Sequence, residues 1–294
     1  MHAQKSAPIL SPQVLWTLQT ELTFSELAQV RNELLSHKPI SLPKALKILR
    51  TNNTEAPPPS PNSPNILSYW DLETLMAGKN AGELPLAVAT QGNPEILSEP
   101  KVAIIGSRHP TYYGREQAHR FAHEIAKAGI TVISGGAIGI DTIANQAAFD
   151  VGKSCAILGS GLHKAYPTTN QNMFNHFAKS LNGLVISEFD NDQAAVKWNF
   201  PRRNRTIAAL ADFLLVIEAT PTSGSTLTVN AALEMNCDIG AIPGPIDSPT
   251  SEGTNILIRD GAFCILRPSD VIDRILNITA SRTKHAKHCQ SSSV

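Results

Sequence analysis

Cysteine is scarce in this chain. There are four in 294 residues, Cys155, Cys237, Cys264 and Cys289, with no two at the short spacing of a zinc-binding pair. That argues against both a zinc site and a disulfide framework, and points to a reducing, cytoplasmic setting. An excess of one charge is also missing, since 25 basic residues stand against 25 acidic ones, so any basic surface must be local. No apolar run reaches the length of a membrane span, and the first residues lack a basic segment followed by an apolar one. The expectation is a soluble protein with no membrane partner.

Hydrophobic residues make up 42% of the chain, enough for one large core and a small extra arm. Val14, Leu15, Leu18, Leu22, Leu27, Val30, Leu34 and Leu35 recur at helical spacing, and Leu42 to Leu49 repeats the pattern, so residues 1–55 read as a helical N-terminal region. Residues 56–65, Ala-Pro-Pro-Pro-Ser-Pro-Asn-Ser-Pro-Asn, can neither propagate a helix nor donate enough N–H groups to a ladder, and read as an extended linker. The main domain is expected over 66–278. Its first part holds a short helix from Tyr69 to Ala77 and a lead-in whose elements the pattern leaves ambiguous. Residues 279–294 read as a polar, disordered tail.

The stretch from Val102 to Asp141 organises the rest. An apolar strand ends at Gly106-Ser107-Arg108, an amphipathic helix follows with Ala118, Phe121, Ala122 and Ile125 on one face, and a second strand ends at Gly135-Gly136-Ala137-Ile138-Gly139. Short apolar strands and helices then alternate to the end: strands at 155–158, 184–187, 214–217, 239–242 and 263–266, and helices at 141–148, 169–181, 206–211, 227–235, 255–259 and 269–276. Nearly continuous apolar strands with short helical crossovers specify α/β, a Rossmann-like, doubly wound, mostly parallel sheet. In such a sheet the loops at the strand carboxyl ends gather N–H groups and helix N-termini around one crevice, which attracts phosphate.

A dinucleotide would need Gly-x-Gly-x-x-Gly at the first turn and an acid about 20 residues further on. The first loop runs from Gly106 to Gly114 without that spacing, and the second strand closes on Ser134-Gly135 with no acid. The combination of motifs is more specific. Val102-Ala-Ile-Ile-Gly-Ser-Arg108, Tyr113-Gly114, Ser134-Gly-Gly-Ala-Ile-Gly-Ile-Asp141, Leu158-Gly-Ser-Gly-Leu162, Tyr166-Pro167, Phe200-Pro-Arg-Arg-Asn-Arg-Thr-Ile207, Glu218-Ala219, Ser223-Gly-Ser-Thr-Leu227 and Pro243-Gly244 follow in order. Over Lys101 to Leu276 the chain resembles the DprA/Smf family of DNA-processing proteins. The resemblance implies single-stranded DNA binding without catalysis or cofactor, protection of incoming strands in natural transformation, help in loading the RecA recombinase, and a homodimer.

The candidate phosphate-binding residues are Gly106, Ser107, Arg108, Gly135, Gly136, Gly139, Lys197, Arg202, Arg203, Asn204, Arg205, Ser223, Gly224, Ser225 and Asn255. Each has a plainer reading. Arg108 sits where a turn usually carries a small residue, and is either a phosphate contact or half of a salt bridge. Ser107 either meets phosphate or caps its turn. Three arginines at 202, 203 and 205, placed before a short apolar helix, cannot all face one side, so one is expected to pair with an acid such as Glu188 or Glu218. Phe200 and Trp198 read as core more than as base-stacking surfaces. Asp141 reads as a helix N-cap, and His119 with His123 as a polar helix face.

Gly136 and Asn145 depart from the family, which usually carries leucine and histidine there. Nothing after Leu276 resembles the winged-helix module of many relatives, and the arm is hard to match to the family's N-terminal domain. The rival readings are a nucleotide phosphoribohydrolase, whose Pro-Gly-Gly-x-Gly-Thr-x-x-Glu pattern is broken at Pro243-Gly244-Pro245, and an interaction scaffold with a vestigial pocket.

Overall fold

The computed structural model describes residues 12–22, 27, 30–31, 65–76 and 84–291. The expected helix at 42–49 and all of the proline-rich linker except its last residue lie outside them. Among the described residues nine strands form one sheet: β1 (Asn65–Ser68), β2 (Ala87–Gly92), β3 (Lys101–Ile105), β4 (Thr131–Ser134), β5 (Ser154–Leu158), β6 (Gly183–Ser187), β7 (Phe213–Val216), β8 (Asp238–Ala241) and β9 (Phe263–Cys264). Their spatial order is β1-β2-β6-β5-β4-β3-β7-β8-β9. From β6 to β9 every pairing is parallel, with Val102 opposite both Val132 and Phe213. The two strands at the other edge, β1 and β2, are antiparallel, and they occupy the lead-in whose elements the sequence pattern left open.

The described helices are α1 (Pro12–Glu21), α2 (Tyr69–Leu75), α3 (Tyr112–Lys127), α4 (Ile140–Phe149), α5 (Gln171–Ala178), α6 (Asn199–Leu210), α7 (Ser225–Glu234), α8 (Pro249–Arg259) and α9 (Pro268–Ser291). Alternate strand residues feed opposite faces, as the pleat requires. Val102, Ile104, Val132 and Leu215 pack with Phe121, Ile125, Ala144 and Val271 of α3, α4 and α9. Ala103, Ile105, Ile133 and Leu214 pack with Ile207, Leu210 and Val229 of α6 and α7. Burying a side chain such as Phe121 stabilises the fold by about 1.5–3 kcal/mol relative to leaving it in water. Both faces of the sheet are therefore closed, and its ends are left for binding.

Three element boundaries differ widely from expectation, the others by no more than a few residues. Helix α6 begins at Asn199, not at Thr206, so the arginine cluster lies inside a helix; Pro201 is tolerated in its first turn, where its missing N–H has no intrahelical partner to lose. Helix α8 begins at Pro249. Helix α9 runs on to Ser291, well past Leu276, where the sequence reading placed a disordered tail. Among the described residues no helix is long and apolar enough to cross a membrane.

The chain leaves β3 toward β4, β5 and β6, then returns to the other side of β3 as β7. The reversal between β3 and β7 is a topological switch point, where the loops at the strand ends diverge and open a crevice.

Candidate nucleic-acid interface

A cleft of about 1090 Å3 lies at that point. Gly106, Ser107 and Arg108 after β3 form one wall, Ser223, Gly224 and Ser225 before α7 another, and Lys197, Arg203 and Asn204 of α6 and its approach a third. All nine were expected from sequence. Among the described residues four arginine and lysine side chains line the space, Arg108, Lys164, Lys197 and Arg203, against one carboxylate, Asp141, with the His163 ring beside them. The balanced total charge concealed this local excess.

Phe200 organises the floor. The Arg108 guanidinium carbon lies 5.7 Å from the centre of its ring and that of Arg203 lies 5.8 Å from it. Tyr166 meets the same ring edge-on at 6.2 Å. Phe200 is half-buried and lines the cleft, whereas Trp198 is 75% exposed; neither is a core residue, contrary to the plainer reading.

The arginine cluster divides by helical geometry, because successive α-helical positions point about 100° apart. Arg203 is buried, and its Nη1 donates to the carbonyls of Gly135 and, at 2.7 Å, Ile157. Arg202 turns the other way. Its Nε donates to Glu188 at 2.7 Å and its Nη2 to the carbonyl of Gln19 at 2.7 Å, so it ties α6 to the N-terminal helix α1 and lies outside the cleft. This is the expected pairing of one arginine with Glu188. Arg205 pairs with Glu234 of α7, also away from the cleft.

Asp141 corrects the sequence reading. The N-cap of α4 is Gly139, at φ +87°, and Asp141 stands one residue inside the helix with its carboxylate accepting the Gly135 N–H at 3.1 Å. Burial pushes its carboxyl above the usual carboxylate range, opposed by the nearby Arg203 cation and by the N–H groups of Ala137 and Gly135. Burial likewise draws Arg203 down to about 10, with Asp141 opposing. Asp141 and Arg203 are thus neighbouring buried charges that both hydrogen-bond Gly135, the carboxylate accepting its N–H and the guanidinium donating to its carbonyl, and together they hold the loop after β4.

Gly135, Gly136 and Gly139 do not line the main cleft; they shape this loop. A side chain at Gly139 would place its Cβ 2.4 Å from the Ser107 carbonyl oxygen, so only glycine lets the loops after β3 and β4 lie this close. Gly136, at φ +61°, faces Phe174, whose ring would lie 2.8 Å from an added Cβ. The departure from leucine at this position therefore fits the local packing. Asn145, the other departure, is buried on α4 with Nδ2 donating to Ser154 Oγ at 2.9 Å and to the Cys155 carbonyl at 3.1 Å, a structural role.

Ser107 caps its own turn, Oγ accepting the His109 N–H at 3.1 Å, while the residue faces the cleft. Asn255 is not at the cleft. It brackets Gly244, accepting its N–H at 3.2 Å and donating to its carbonyl at 3.0 Å, and so secures the loop after β8. Glu218, at the end of β7, accepts from the Thr111 N–H at 2.9 Å and from its hydroxyl at 2.5 Å, holding the start of α3. His119 and His123 stack at 6.0 Å, and among the described residues no group of three metal-ligating side chains exists. Sequence reasoning missed His163, Lys164, Tyr166 and Gln171 as cleft residues. Their signal was the glycine-flanked turn at Gly159 to Gly161, which resembles the other strand-end loops.

Comparisons with known proteins bear on the family and the fold. The family model described as DNA recombination-mediator protein A matches residues 66–276. The chain is 37% identical to Protein Smf of Escherichia coli over 194 residues, 66% of this chain and 52% of that protein. It is 34% identical to DNA processing protein DprA of Streptococcus pneumoniae, covering 69% of each chain. It is 29% identical to that of Bacillus subtilis over 275 residues, more than 66–276 can supply, so the likeness extends into segments the motifs left unmatched. The chain spans only about half the length of the Escherichia coli Smf protein. The solved structure of Streptococcus pneumoniae DprA superposes with a TM-score of 0.75 at 27% identity, over 90% of this chain and 98% of that one. DNA processing protein A of Helicobacter pylori, whose structure is described for its unique single-stranded DNA binding mode, superposes at 0.61 with 33% identity, over 66% and 88%. Motif order, strand order and these matches converge, and the chain belongs to the DprA/Smf family of DNA-processing proteins.

Proposed function

We propose that this chain binds single-stranded DNA through its phosphates in the cleft between the loops after β3 and β7, without catalysing a reaction. The observation that carries the reading is the convergence of Arg108 and Arg203 on the Phe200 ring inside one concavity where, among the described residues, the one carboxylate, Asp141, accepts the Gly135 N–H. Arg108 is exposed and able to meet phosphate oxygens; Arg203, whose guanidinium is occupied by two carbonyls, adds positive potential from below. Phe200 and Tyr166 offer a π surface to whichever base lies above them, which needs no sequence readout. By family resemblance, the strand so held is protected and handed to RecA, with the chain acting as a homodimer in the cytoplasm.

Anisotropy titration of a labelled single strand and the matching duplex, at rising salt, tests the proposal. The expected result is preference for the single strand, with affinity falling steeply as salt rises. Equal affinity for duplex, or salt-independent binding, overturns it. A phosphoribohydrolase would need a free carboxylate beside the scissile bond, and Asp141 is engaged with Gly135 and Arg203. Release of adenine from adenosine monophosphate would refute the non-catalytic reading.

A further inference from the structure

On the far side of Arg108 from the main cleft lies a second, smaller depression of about 360 Å3. Arg108, His109 and Pro110 border it on one side, Arg115 on the first turns of α3, and Ile138, Thr142 and Asn170 on the other. The two hollows share Arg108 as a lining residue, and its guanidinium lies over Phe200 on the main-cleft side.

Among the described residues the lining contains two arginines and a histidine and no carboxylate. Among the described residues neither Arg108 nor Arg115 forms an ion pair: Arg115 Nε makes a long hydrogen bond of 3.4 Å to the Pro110 carbonyl, and Arg108 faces Phe200. Arg115 is exposed, so its charge carries little desolvation penalty and is available to a ligand. The floor is firm. Asn170, itself buried, donates to the Gly136 carbonyl at 2.9 Å and to Thr142 Oγ1 at 2.6 Å, and Thr142 donates to the Ala137 carbonyl at 2.6 Å. A preformed hollow walled by unpaired cations beside a phosphate-binding cleft suits an anion of the same kind, one step along the same chain.

We propose that this depression is a second phosphate seat, into which a single strand leaving the main cleft passes over Arg108 and where Arg115, with His109, receives its next phosphodiester. Ile138, 40% exposed on the rim, supplies an apolar edge for the sugar or base. The inference rests on the single-strand reading of the main cleft and extends the length of strand the protein covers.

The test compares a short oligothymidylate of about 5 nucleotides with a long one of about 15, lengths within the range of known single-strand sites, titrated with the full chain. Arg115→Gln removes the charge and Ile138→Glu introduces a repelling one at an exposed position. Each is expected to weaken the long oligonucleotide by about fivefold more than the short one. Arg115→Gln should also lower the slope of log affinity against log salt for the long strand by about 0.7, the single-strand value for one phosphate contact. Arg115→Lys should restore the slope. If both lengths are affected alike, or neither is, while the wild type binds, the second seat is wrong and the main cleft stands. If the wild type binds no single strand, the underlying reading fails and the second seat with it.

Discussion

Arg203 donates to the carbonyl of Gly135, so a buried cation on α6 holds the loop after β4 in place from beneath. The contact ties that loop to a helix that contributes to both the core and the cleft. Arg203 is 4% exposed and also bonds Ile157, with Asp141 as its counter-charge.

Removing that cation leaves two carbonyls and a carboxylate buried without it. Arg203→Ala is expected to lower unfolding free energy by about 1–3 kcal/mol for each buried acceptor left without its donor. Urea denaturation of the variant checks this, and an unchanged midpoint would show that the clamp contributes nothing.

Arg108 is the opposite case, exposed and without an ion pair among the described residues. Arg108→Ala is expected to leave the denaturation midpoint within about 0.5 kcal/mol of wild type, as for most surface changes. Its affinity for single-stranded DNA should fall by about 1–3 kcal/mol, equally for all sequences, because a charge-assisted phosphate contact reads no base. Titration against poly-pyrimidine and mixed strands separates a uniform loss from a selective one.

At Gly139 a Cβ would collide with the carbonyl oxygens of Ser107 and Arg108 at a positive φ of 87°. Gly139→Ala is therefore expected to cost about 1–3 kcal/mol in backbone strain and to part the two loops. Stability by thermal melting and single-strand affinity should fall together; a loss of neither would mean the loops are not packed as described.

Cys155 is buried and burial pushes its thiol well above the ordinary range, Cys237 is buried, and Cys264 is exposed. In the native protein a thiol reagent should react quickly at Cys264 and slowly at the other two. Cys264→Ser should lower the fast thiol count by one, and Cys155→Ser should leave it unchanged.

Much of the fold is legible along the chain because it is repetitive. Strands β3 to β8 and their crossovers announce themselves by short apolar runs, glycine turns and amphipathic helices. The pairing of β2 with β6, from Ala89 opposite Ser187 to Gly92 opposite Leu184, joins segments far apart in sequence and has no local signature. The start of α6 was hidden for a different reason: its N-cap, Trp198, makes no side-chain cap hydrogen bond, and the positive charges that follow resemble a solvated loop.

The candidate site was legible as a list of residues and not as an arrangement. Arg108, Lys197, Arg203, Asn204 and the serines at 223 and 225 do share one cleft, while Arg202, Arg205 and Asn255 are spent on Glu188, Glu234 and Gly244. Order of motifs alone determined the family, the alternating architecture and the presence of a crevice at the strand ends, since each rests on local spacing. Which cation faces solvent and which is sunk under a loop was decided by tertiary packing. The rotation of α6 against β4 and β5 brings together groups more than 40 residues apart, and no property of either segment by itself specifies that meeting.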